Sequence, residues 1–300
     1  MKLFAPKYYR QFSCIADRCS HSCCIGWEID IDRRTKKKYS SLTGDYAEAI
    51  RKSILSKPTP HFLLDNEERC PHLNKDGLCN IIINFGEDAL CDICREHPRF
   101  YNYTSLGKEV GLGMACEEAS RLILSWEDYE TLEQIGDVQD SSCVSNGLGV
   151  SCRNEVFNIL ALPVSYTERL RMIYEKFNIR PDSVSDKRWQ MAIDELEYLN
   201  PSHKELFLNY SSVLNDTPLD IFLERALSYY VYRHCSEALD TDELLRSLSF
   251  CLFCERLFAS VANHLNAKDL DELVQIGVII SEELEYSEDN TEKLKLVQNR

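Results

Sequence analysis

The chain has 300 residues, of which 44% are hydrophobic and 28% are charged, and a formal net charge of −15. This composition is typical of a globular protein and excludes wholesale disorder. No stretch reaches the roughly 18 apolar residues that span a bilayer, and the start "MKLFAPKYYRQFSC" lacks the apolar run of a signal peptide. We therefore expect a cytoplasmic protein with no membrane partner.

Charge is unevenly distributed along the chain. Up to Ser125 the acidic and basic side chains nearly balance, whereas the remainder carries almost all of the net negative charge. An acidic body repels nucleic-acid phosphates, so we expect no nucleic-acid partner. It could attract a basic partner, although a solvated acidic face is the more common explanation.

The predicted elements in the first part of the chain are short. "WEIDID" at Trp27–Asp32 alternates apolar and acidic residues with period two, which predicts a half-buried strand. "TKKKYSSLTGDYAEAIRKSIL" has helical spacing interrupted at Gly44, and Asp76-Gly77 predicts a turn just before Cys79. "GMACEEASRLILSW" again has helical spacing.

The second part of the chain is predicted to be helical. "GDVQDSSCVSNGLGVS" is small and polar, so residues 126–152 are the best candidate for a linker or a mobile loop. Asn200-Pro201, Thr217-Pro218 and Thr241 mark helix starts, and "ELLRSLSFCLFCERLFASVANHL" predicts the central buried helix of a bundle. The predicted fold is mainly α: a cysteine-rich metal-binding module with short β elements at 1–125, that linker, and an acidic helical bundle at 153–300.

Nine of the fourteen cysteines lie before residue 120, in three clusters. The first is C-x4-C-x3-C-C from Cys14 to Cys24, the second is "CPHLNKDGLC", and the third is the C-x2-C pair Cys91 and Cys94, followed later by Cys116. A C-x2-C pair lets two thiolates converge on one ion while the intervening loop donates N–H groups to the sulfurs. Buried, inert cysteines are the alternative, but this grouping in a reducing compartment favours a metal site with zinc or an iron–sulfur cluster.

Four motifs in order, "FSCIADRCSHSCCIGWEIDID", "CPHLNKDGLCNI", "LCDICREHPRFY" and "ACEEASRLIL", give the chain a resemblance to the flagellin lysine-N-methylase family. That family is related to the CxxCxxCC proteins, a group associated with zinc or iron chelation. The resemblance continues in "ILALPVSYTERL", "LERALSYYVYRH" and "ISEELEYSEDN", so it spans nearly the whole chain.

The resemblance implies an enzyme that methylates lysine side chains of flagellin, or of another lysine-bearing protein, in the cytoplasm. S-adenosylmethionine would be the methyl donor, and cysteines would hold a [4Fe–4S] cluster, with zinc as the alternative. Nine thiols exceed the four that one cluster needs. The implied ligands are Cys19, Cys23, Cys24, Cys70, Cys79, Cys91, Cys94 and Cys116, with Cys14 as a further candidate.

Two signatures of related enzymes are missing. Gly26 stands where the C-x3-C-x2-C spacing of radical S-adenosylmethionine enzymes would need a cysteine. "EVGLGMAC" has Ala115 where a third glycine would help and lacks a βαβ frame, so we interpret it as a turn rather than a cofactor loop. The sequence therefore assigns neither a catalytic residue nor a donor site.

Two alternatives remain open at this point. A non-enzymatic protein that chelates zinc or iron, or that is stabilised by a metal for interaction with a partner, would explain the same cysteines without a donor motif. Glu28, Asp30 and Asp32 could accept the proton that a lysine must lose before methylation, although the solvated face of a strand is their more common role.

Overall fold

The structure, a computed structural model, describes residues 1–128, 130–139, 146–180, 183–215 and 217–297. About 53% of it is helical, which confirms the mainly α prediction. In chain order the described helices and strands are β1 (Lys2–Pro6), α1 (Arg33–Ser41), α2 (Ala47–Lys52), β2 (Ile54–Leu55), β3 (His61–Phe62), α3 (Asn80–Phe85), α4 (Asp92–Glu96), β4 (Arg99–Thr104), β5 (Gly107–Leu112), α5 (Glu117–Ser125), β6 (Leu132–Asp137), α6 (Leu148–Leu160), α7 (Tyr166–Lys176), α8 (Ser183–Asp194), α9 (Ser202–Phe207), α10 (Asp220–His234), α11 (Thr241–Leu265), α12 (Leu270–Glu285) and α13 (Glu288–Lys295).

The chain divides into two compact units. Ser13–Pro98 forms the cysteine-rich unit, and Met1–Phe12 together with Arg99–Arg300 forms the helical unit. This division differs from the sequence-predicted module at 1–125, because residues 1–12 and 99–125 contribute strands and a helix to the helical unit. The pairing that draws β1 into that unit joins positions about a hundred residues apart, which local periodicity does not reveal.

The cysteine-rich unit is built on short elements around a small core. Ile29 and Ile31 are buried while Glu28 and Asp30 are exposed, so the predicted alternation is confirmed. The predicted strand over Trp27–Asp32 is wrong in extent: Asp30 forms an isolated bridge with His61, and the segment ends where Asp32 becomes the N-cap of α1. Because the Asp32 side chain caps the start of α1, the chain enters the helix at this point and cannot continue as a strand.

The helical unit contains a four-stranded sheet in the order β4-β5-β1-β6. β4 and β5 form an antiparallel hairpin, while β1 runs parallel to β5 and antiparallel to β6. Gly111 lies in β5 where an added Cβ would come within 2.3 Å of the Phe100 ring and 2.9 Å of the Tyr232 ring. Gly111 of "EVGLGMAC" therefore serves close packing, and the predicted turn follows at Met114 and Ala115.

The core of the helical unit is centred on α11, as predicted. Leu248, Cys251, Cys254 and Leu257 on this helix are each fully buried, because neighbouring helices surround its middle on all sides. α11 begins at the predicted Thr241 and is capped by the Asp240 side chain, which accepts a hydrogen bond from the Glu243 N–H at 2.8 Å.

Two further predicted helix starts and the predicted linker can be located in the structure. α9 follows Asn200-Pro201, and α10 follows Thr217-Pro218, so both predicted helix starts are confirmed within two residues. The predicted linker at 126–152 contains β6 and the beginning of α6, while its residues 129 and 140–145 lie outside the described residues. Within the part of the chain that the structure describes, no helix combines the length and apolar character needed to cross a bilayer.

Candidate metal centre

The C-x2-C pair lies at the start of α4. Cys91 is the residue before the helix and is 1% exposed, and its sulfur lies 3.4 Å from the Cys94 sulfur. The Asp32 carboxylate accepts hydrogen bonds from the backbone N–H of Asp92 at 3.0 Å and from that of Thr35 at 2.9 Å. One carboxylate therefore holds the start of α4 against the start of α1 and fixes the position of the pair.

A tight turn closes the segment between Cys70 and Cys79. The Asn74 side-chain oxygen accepts a hydrogen bond from the Leu78 N–H at 2.9 Å, and Gly77 takes a positive φ of 76°. This left-handed conformation favours glycine, which confirms the turn that the sequence predicted here. Cys79 follows as the residue that precedes α3.

Backbone bonds join the first cysteine cluster to the second. The Cys24 carbonyl accepts a hydrogen bond from the Cys70 N–H at 2.8 Å, and the Glu68 carbonyl accepts one from the Gly26 N–H at 2.9 Å. Cys70 and Cys91 are core residues of the cysteine-rich unit, and three more cysteines pack against that core. The five that gather there, here called the thiol cluster, are Cys24, Cys70, Cys79, Cys91 and Cys94.

The thiols of this cluster influence one another electrostatically. Burial raises the pKa of Cys70 to about 12, and the charges of Cys24 and Cys79 act in the same direction. The hydrogen bond with Cys91, together with burial and the charges of Cys91 and Cys24, raises the pKa of Cys94. Thiols that each disfavour ionisation of the others need a cation before several can be thiolates at once.

Other groups favour the thiolate form. A hydrogen bond from Cys23 lowers the pKa of Cys24 to about 7 despite burial, and a hydrogen bond from Cys94 lowers the pKa of Cys91. Backbone N–H groups of His72 and Leu73 lower the pKa of Cys70 in part. Amide donors directed at sulfur are the usual surroundings of metal-bound thiolates.

An unpartnered hydroxyl lies beside the thiol cluster. Tyr39 is 1% exposed, and among the described residues its hydroxyl has no hydrogen-bond partner. Burial raises the pKa of Tyr39, and the charges of Cys91, Cys94 and Cys79 raise it further. A buried hydroxyl without a partner costs free energy, so its position fits a group with a sulfur acceptor that would take the O–H. The donor set and this hydroxyl together fit a thiolate-bound metal.

The remaining predicted ligands lie outside the thiol cluster. Cys14 is exposed, and its sulfur accepts a hydrogen bond from the Ala16 N–H at 3.4 Å. Cys19 donates to the His21 carbonyl at 2.8 Å, and Cys23 is exposed beside Cys24. Cys116 belongs to the helical unit, where it precedes α5. Ligation by any of the nine stays a prediction.

A second group of possible ligand atoms follows the first cysteine cluster. Among the described residues, Glu28, Asp30 and His61 are the one group of three or more His, Cys, Asp and Glu side chains whose ligand atoms all lie within 4.8 Å of one another. The bridge between Asp30 and His61 brings them together. The sulfurs of the thiol cluster are therefore spread more widely than this group.

Sequence reasoning missed His72 and Tyr39, and it named Asp32 only as a candidate proton acceptor. His72 is 1% exposed, with Nδ1 2.9 Å from the Tyr46 hydroxyl and Nε2 2.9 Å from the Ser53 hydroxyl, so both ring nitrogens have protein partners. Tyr39 contributes the unpartnered hydroxyl, and Asp32 connects two helices. The signal for Tyr39 was its position four residues after Thr35, which places both on the buried face of α1.

Comparisons with known proteins find relatives that match under half of the chain, whereas the sequence motifs predicted a resemblance over nearly all of it. The flagellar biosynthetic protein FliU of Salmonella muenchen is 31% identical over 134 residues, which cover 42% of this chain and 79% of that protein. Proteins named lysine-N-methylase from Salmonella typhimurium and Salmonella choleraesuis are each 29% identical over 143 residues, which cover 45% of this chain and 36% of theirs. No model of a known protein family matches the chain, and no solved structure matches it.

Fold and site together define a mainly helical protein with a compact cysteine-rich unit and clustered thiols. The match to most of FliU, at an identity above 30%, then decides the relationship. The chain belongs to the flagellin lysine-N-methylase family, as the resemblance in its cysteine motifs implied. It matches about a third of the length of the two lysine-N-methylases.

Proposed function

We propose that this chain is a protein-lysine N-methyltransferase that acts on flagellin, with S-adenosylmethionine as the methyl donor and a [4Fe–4S] cluster held by its cysteines. Membership of the family supports the activity, since two relatives carry the name lysine-N-methylase and a third is named as a flagellar protein. The structural observation that supports the cluster is the gathering of five thiols in one small core beside the Tyr39 hydroxyl.

Apart from the close Cys91–Cys94 pair, the wider spacing of the sulfurs supports a cluster over a single zinc ion. Sulfurs around one tetrahedral zinc lie about 4 Å apart. Cys91 and Cys94 meet that distance at 3.4 Å, but among the described cysteines no third ligand atom joins them within 4.8 Å. A [4Fe–4S] cluster binds one thiolate at each of four irons and so accepts a wider arrangement.

The chain's own residues would hold and shield the metal group. Cys70, Cys79, Cys91 and Cys94 would supply thiolates, with Cys24 as a fifth sulfur that could replace one of them. Backbone N–H groups at the starts of α3 and α4 would stabilise the negative charge on those sulfurs. A bound cluster would supply one-electron exchange, while the apolar core around it excludes water.

The proposed reaction sets a requirement on the substrate. The lysine nitrogen must be neutral, because its lone pair forms the new N–C bond while the C–S bond of the donor breaks and the sulfonium becomes a thioether. The lysine proton passes to a base or to water. The rate should therefore rise with pH toward the ordinary lysine pKa of about 10.4.

Methylation itself is tested on flagellin. Mass spectrometry of flagellin from cells with the gene and from cells lacking it should show lysines that carry extra methyl groups only in the first. Purified chain with flagellin and S-adenosylmethionine should restore the modification. Identical lysine masses in both strains would contradict the proposal.

The metal is tested separately by anaerobic purification. Iron and acid-labile sulfide in equal amounts, with the broad visible absorption of thiolate–iron charge transfer, would support the cluster. Zinc in a colourless protein would contradict it. Zinc together with unmodified flagellin would instead favour a non-enzymatic metal-binding protein, for which the close Cys91–Cys94 pair already speaks.

A further inference from the structure

The most concentrated positive charge of the chain lies on α1. From Arg33 to Gly44 there are five cationic side chains and no carboxylate, in a chain whose net charge is −15. Thr35 and Tyr39 form the buried inner face of the helix, so the cations lie on its other sides. The candidate metal centre involves only the start of α1, through Asp32, and its inner face.

The five cations differ in their contacts. Three of them bond to neighbouring parts of the cysteine-rich unit: Arg34 to Asp92, Lys38 to the Asp88 carbonyl and Lys36 to the Ser56 hydroxyl. The other two, Arg33 and Lys37, are exposed, and neither has a hydrogen-bond or ion-pair partner among the described residues. They lie four residues apart and opposite the buried face, so they are neighbours on the outward side of the helix, here called the basic face.

This arrangement opposes the local electrostatics of a helix. The N-terminal end of a helix carries partial positive charge, yet the first turn of α1 has no acidic residue. Arg33 and Lys37 also repel each other, as like charges four residues apart do. The capping carboxylate of Asp32 is engaged by the N–H groups of Thr35 and Asp92. Departures of this kind from local consistency occur mainly at functional sites.

Carboxylates next to α1 lie on one flank only in the described cysteine-rich unit. Glu87 and Asp88 belong to a turn that packs against the helix on the side of Lys38, and neither carboxylate forms an ion pair with α1. Solubility does not explain the basic face either, because a net charge of −15 already provides it. A partner that bears carboxylates would relieve both the repulsion between the cations and their conflict with the helix end.

The size of the basic face limits the kind of partner. Screening confines its field to about 8 Å at physiological ionic strength. The nine residues of α1 extend about 14 Å, a length that about four residues of an extended chain span. The face therefore fits a short acidic peptide segment. A long polyanion such as a nucleic acid would also meet the negative charge of the remaining chain.

We propose that the basic face of α1 binds a short acidic segment of the protein substrate, whose carboxylates pair with Arg33 and Lys37. The inference rests on the proposed function, which supplies a protein substrate. The arginine fork matches the geometry of a carboxylate. Because Tyr39 on the inner face lies beside the thiol cluster, a segment on the outward face lies about 10 Å, one helix diameter, from that cluster. The basic face thus holds the substrate against the unit that carries the thiols.

Binding is tested with the full chain and a fluorescent hexaglutamate peptide, followed by fluorescence anisotropy. The expected result is saturable binding that weakens as the salt concentration rises. Arg33→Glu/Lys37→Glu should bind the peptide at least about tenfold more weakly, because two attractions become repulsions. The matched control is Lys268→Glu/Lys293→Glu, which makes the same change in net charge at two exposed lysines of the helical unit and should bind as the parent does.

Thermal melting separates a binding role of these charges from a structural one. Arg33→Glu alone places an acid in the first turn and opposite to Lys37, so it should melt at the temperature of the parent or higher while peptide binding weakens. A lower melting temperature would give Arg33 a structural role and overturn the proposal.

Kinetics with flagellin extend the test to the substrate. The double variant at positions 33 and 37 should raise the KM for flagellin about tenfold and change kcat little, because the contact is equally strong in the ground and transition states. Free hexaglutamate should compete with flagellin. The proposal is overturned by equal peptide affinity of this variant and the parent, by an equal loss in the control, by an unchanged KM, or by displacement of the peptide by a single-stranded oligonucleotide at lower concentration.

Failure of the proposed function gives a different result. If the parent methylates no flagellin at all, the proposed methyl transfer is contradicted by itself. Direct binding of labelled flagellin to the parent and to the double variant then decides the docking: a loss of affinity in the variant alone supports it, and equal affinity or absence of binding overturns it.

Discussion

The two units bury their cores by different means. The helical unit surrounds α11 with a large apolar core, whereas the cysteine-rich unit has a small core in which Cys70 and Cys91 are themselves members. Small units bury a low fraction of their surface and commonly need a metal or covalent cross-links for stability. The thiols of the cysteine-rich unit therefore contribute to its folding, just as the buried leucines contribute to the folding of the helical unit.

Buried polar groups show the same contrast. In the helical unit, buried carboxylates meet protein cations: Glu109 lies 2.6 Å from Arg153, and Glu285 lies 3.3 Å from Arg233. In the cysteine-rich unit the thiols mainly oppose one another, and the Tyr39 hydroxyl has no partner among the described residues. The helical unit also contains buried polar atoms without a described partner, such as Asp186 Oδ1 and the Tyr230 hydroxyl, but these buried carboxylates have a protein cation, whereas the thiol cluster has none of its own in the described part of the chain.

The largest expected effect comes from removing the thiols. Cys91→Ser/Cys94→Ser should lose the bound metal, and the cysteine-rich unit should lose on the order of 10 kcal/mol of stability, because metal binding and folding are coupled in such units. Metal content and amide hydrogen exchange over Ser13–Pro98 would measure this. Exchange in the helical unit should stay near that of the parent.

Cys14→Ser is the control for that experiment, since Cys14 is exposed and lies outside the thiol cluster. It should keep the metal and the exchange pattern. Full metal content in the double variant, or equal losses in both units, would contradict the contrast between them.

In the helical unit the matching experiment removes one partner of a buried ion pair. Arg153→Met leaves the fully buried Glu109 without its partner and should cost about 3–5 kcal/mol in the free energy of unfolding. Lys176→Met, which breaks the exposed pair with Glu155, should cost less than about 1 kcal/mol. Denaturant titration separates the two. Glu109→Met/Arg153→Met should recover much of the loss, and an unrecovered loss would contradict the electrostatic cause.

The helical unit should also lose stability in acid through Glu285. Burial opposes its ionisation, but Arg233 and hydrogen bonds from His234 and Ser281 lower its pKa to about 2. Since the folded pKa lies below the unfolded one, the contribution is present above about pH 4.5 and is lost as the pH falls toward 2. It amounts to about 3 kcal/mol. Glu285→Gln should therefore unfold more easily than the parent at pH 7 but similarly at pH 2, whereas exposed Glu168→Gln should follow the parent throughout.

Sequence reasoning correctly predicted the features that depend on residues close together in the chain. α11 was predictable because its middle is apolar on all faces, and the turn at Gly77 because only certain residues accept its backbone angles. The grouping of cysteines predicted a shared site, and the structure gathers five of nine. Asp32 was named as a candidate proton acceptor, but its role in joining α1 to α4 could not be predicted, because its bond to Asp92 joins residues 60 positions apart. The parallel pairing of β1 with β5 could not be predicted for the same reason, since the five residues of β1 do not indicate which distant strand they pair with.

The smallest expected effect distinguishes two tyrosines of the cysteine-rich unit. The Tyr46 hydroxyl forms a hydrogen bond with His72 Nδ1 at 2.9 Å. Tyr46→Phe should therefore lower the free energy of unfolding by about 1 kcal/mol and leave the reduction potential of the metal group unchanged. Tyr39→Phe removes a hydroxyl without a described partner, so it should change thermal stability little. If that hydroxyl donates to a cluster sulfur, its loss should make the reduction potential more negative, by about 1 kcal/mol in the free energy of reduction. Redox titration and thermal melts of both variants measure these effects: Tyr46→Phe should change only the stability, and Tyr39→Phe only the reduction potential. An unchanged potential in Tyr39→Phe would show that this hydroxyl does not contact the cluster.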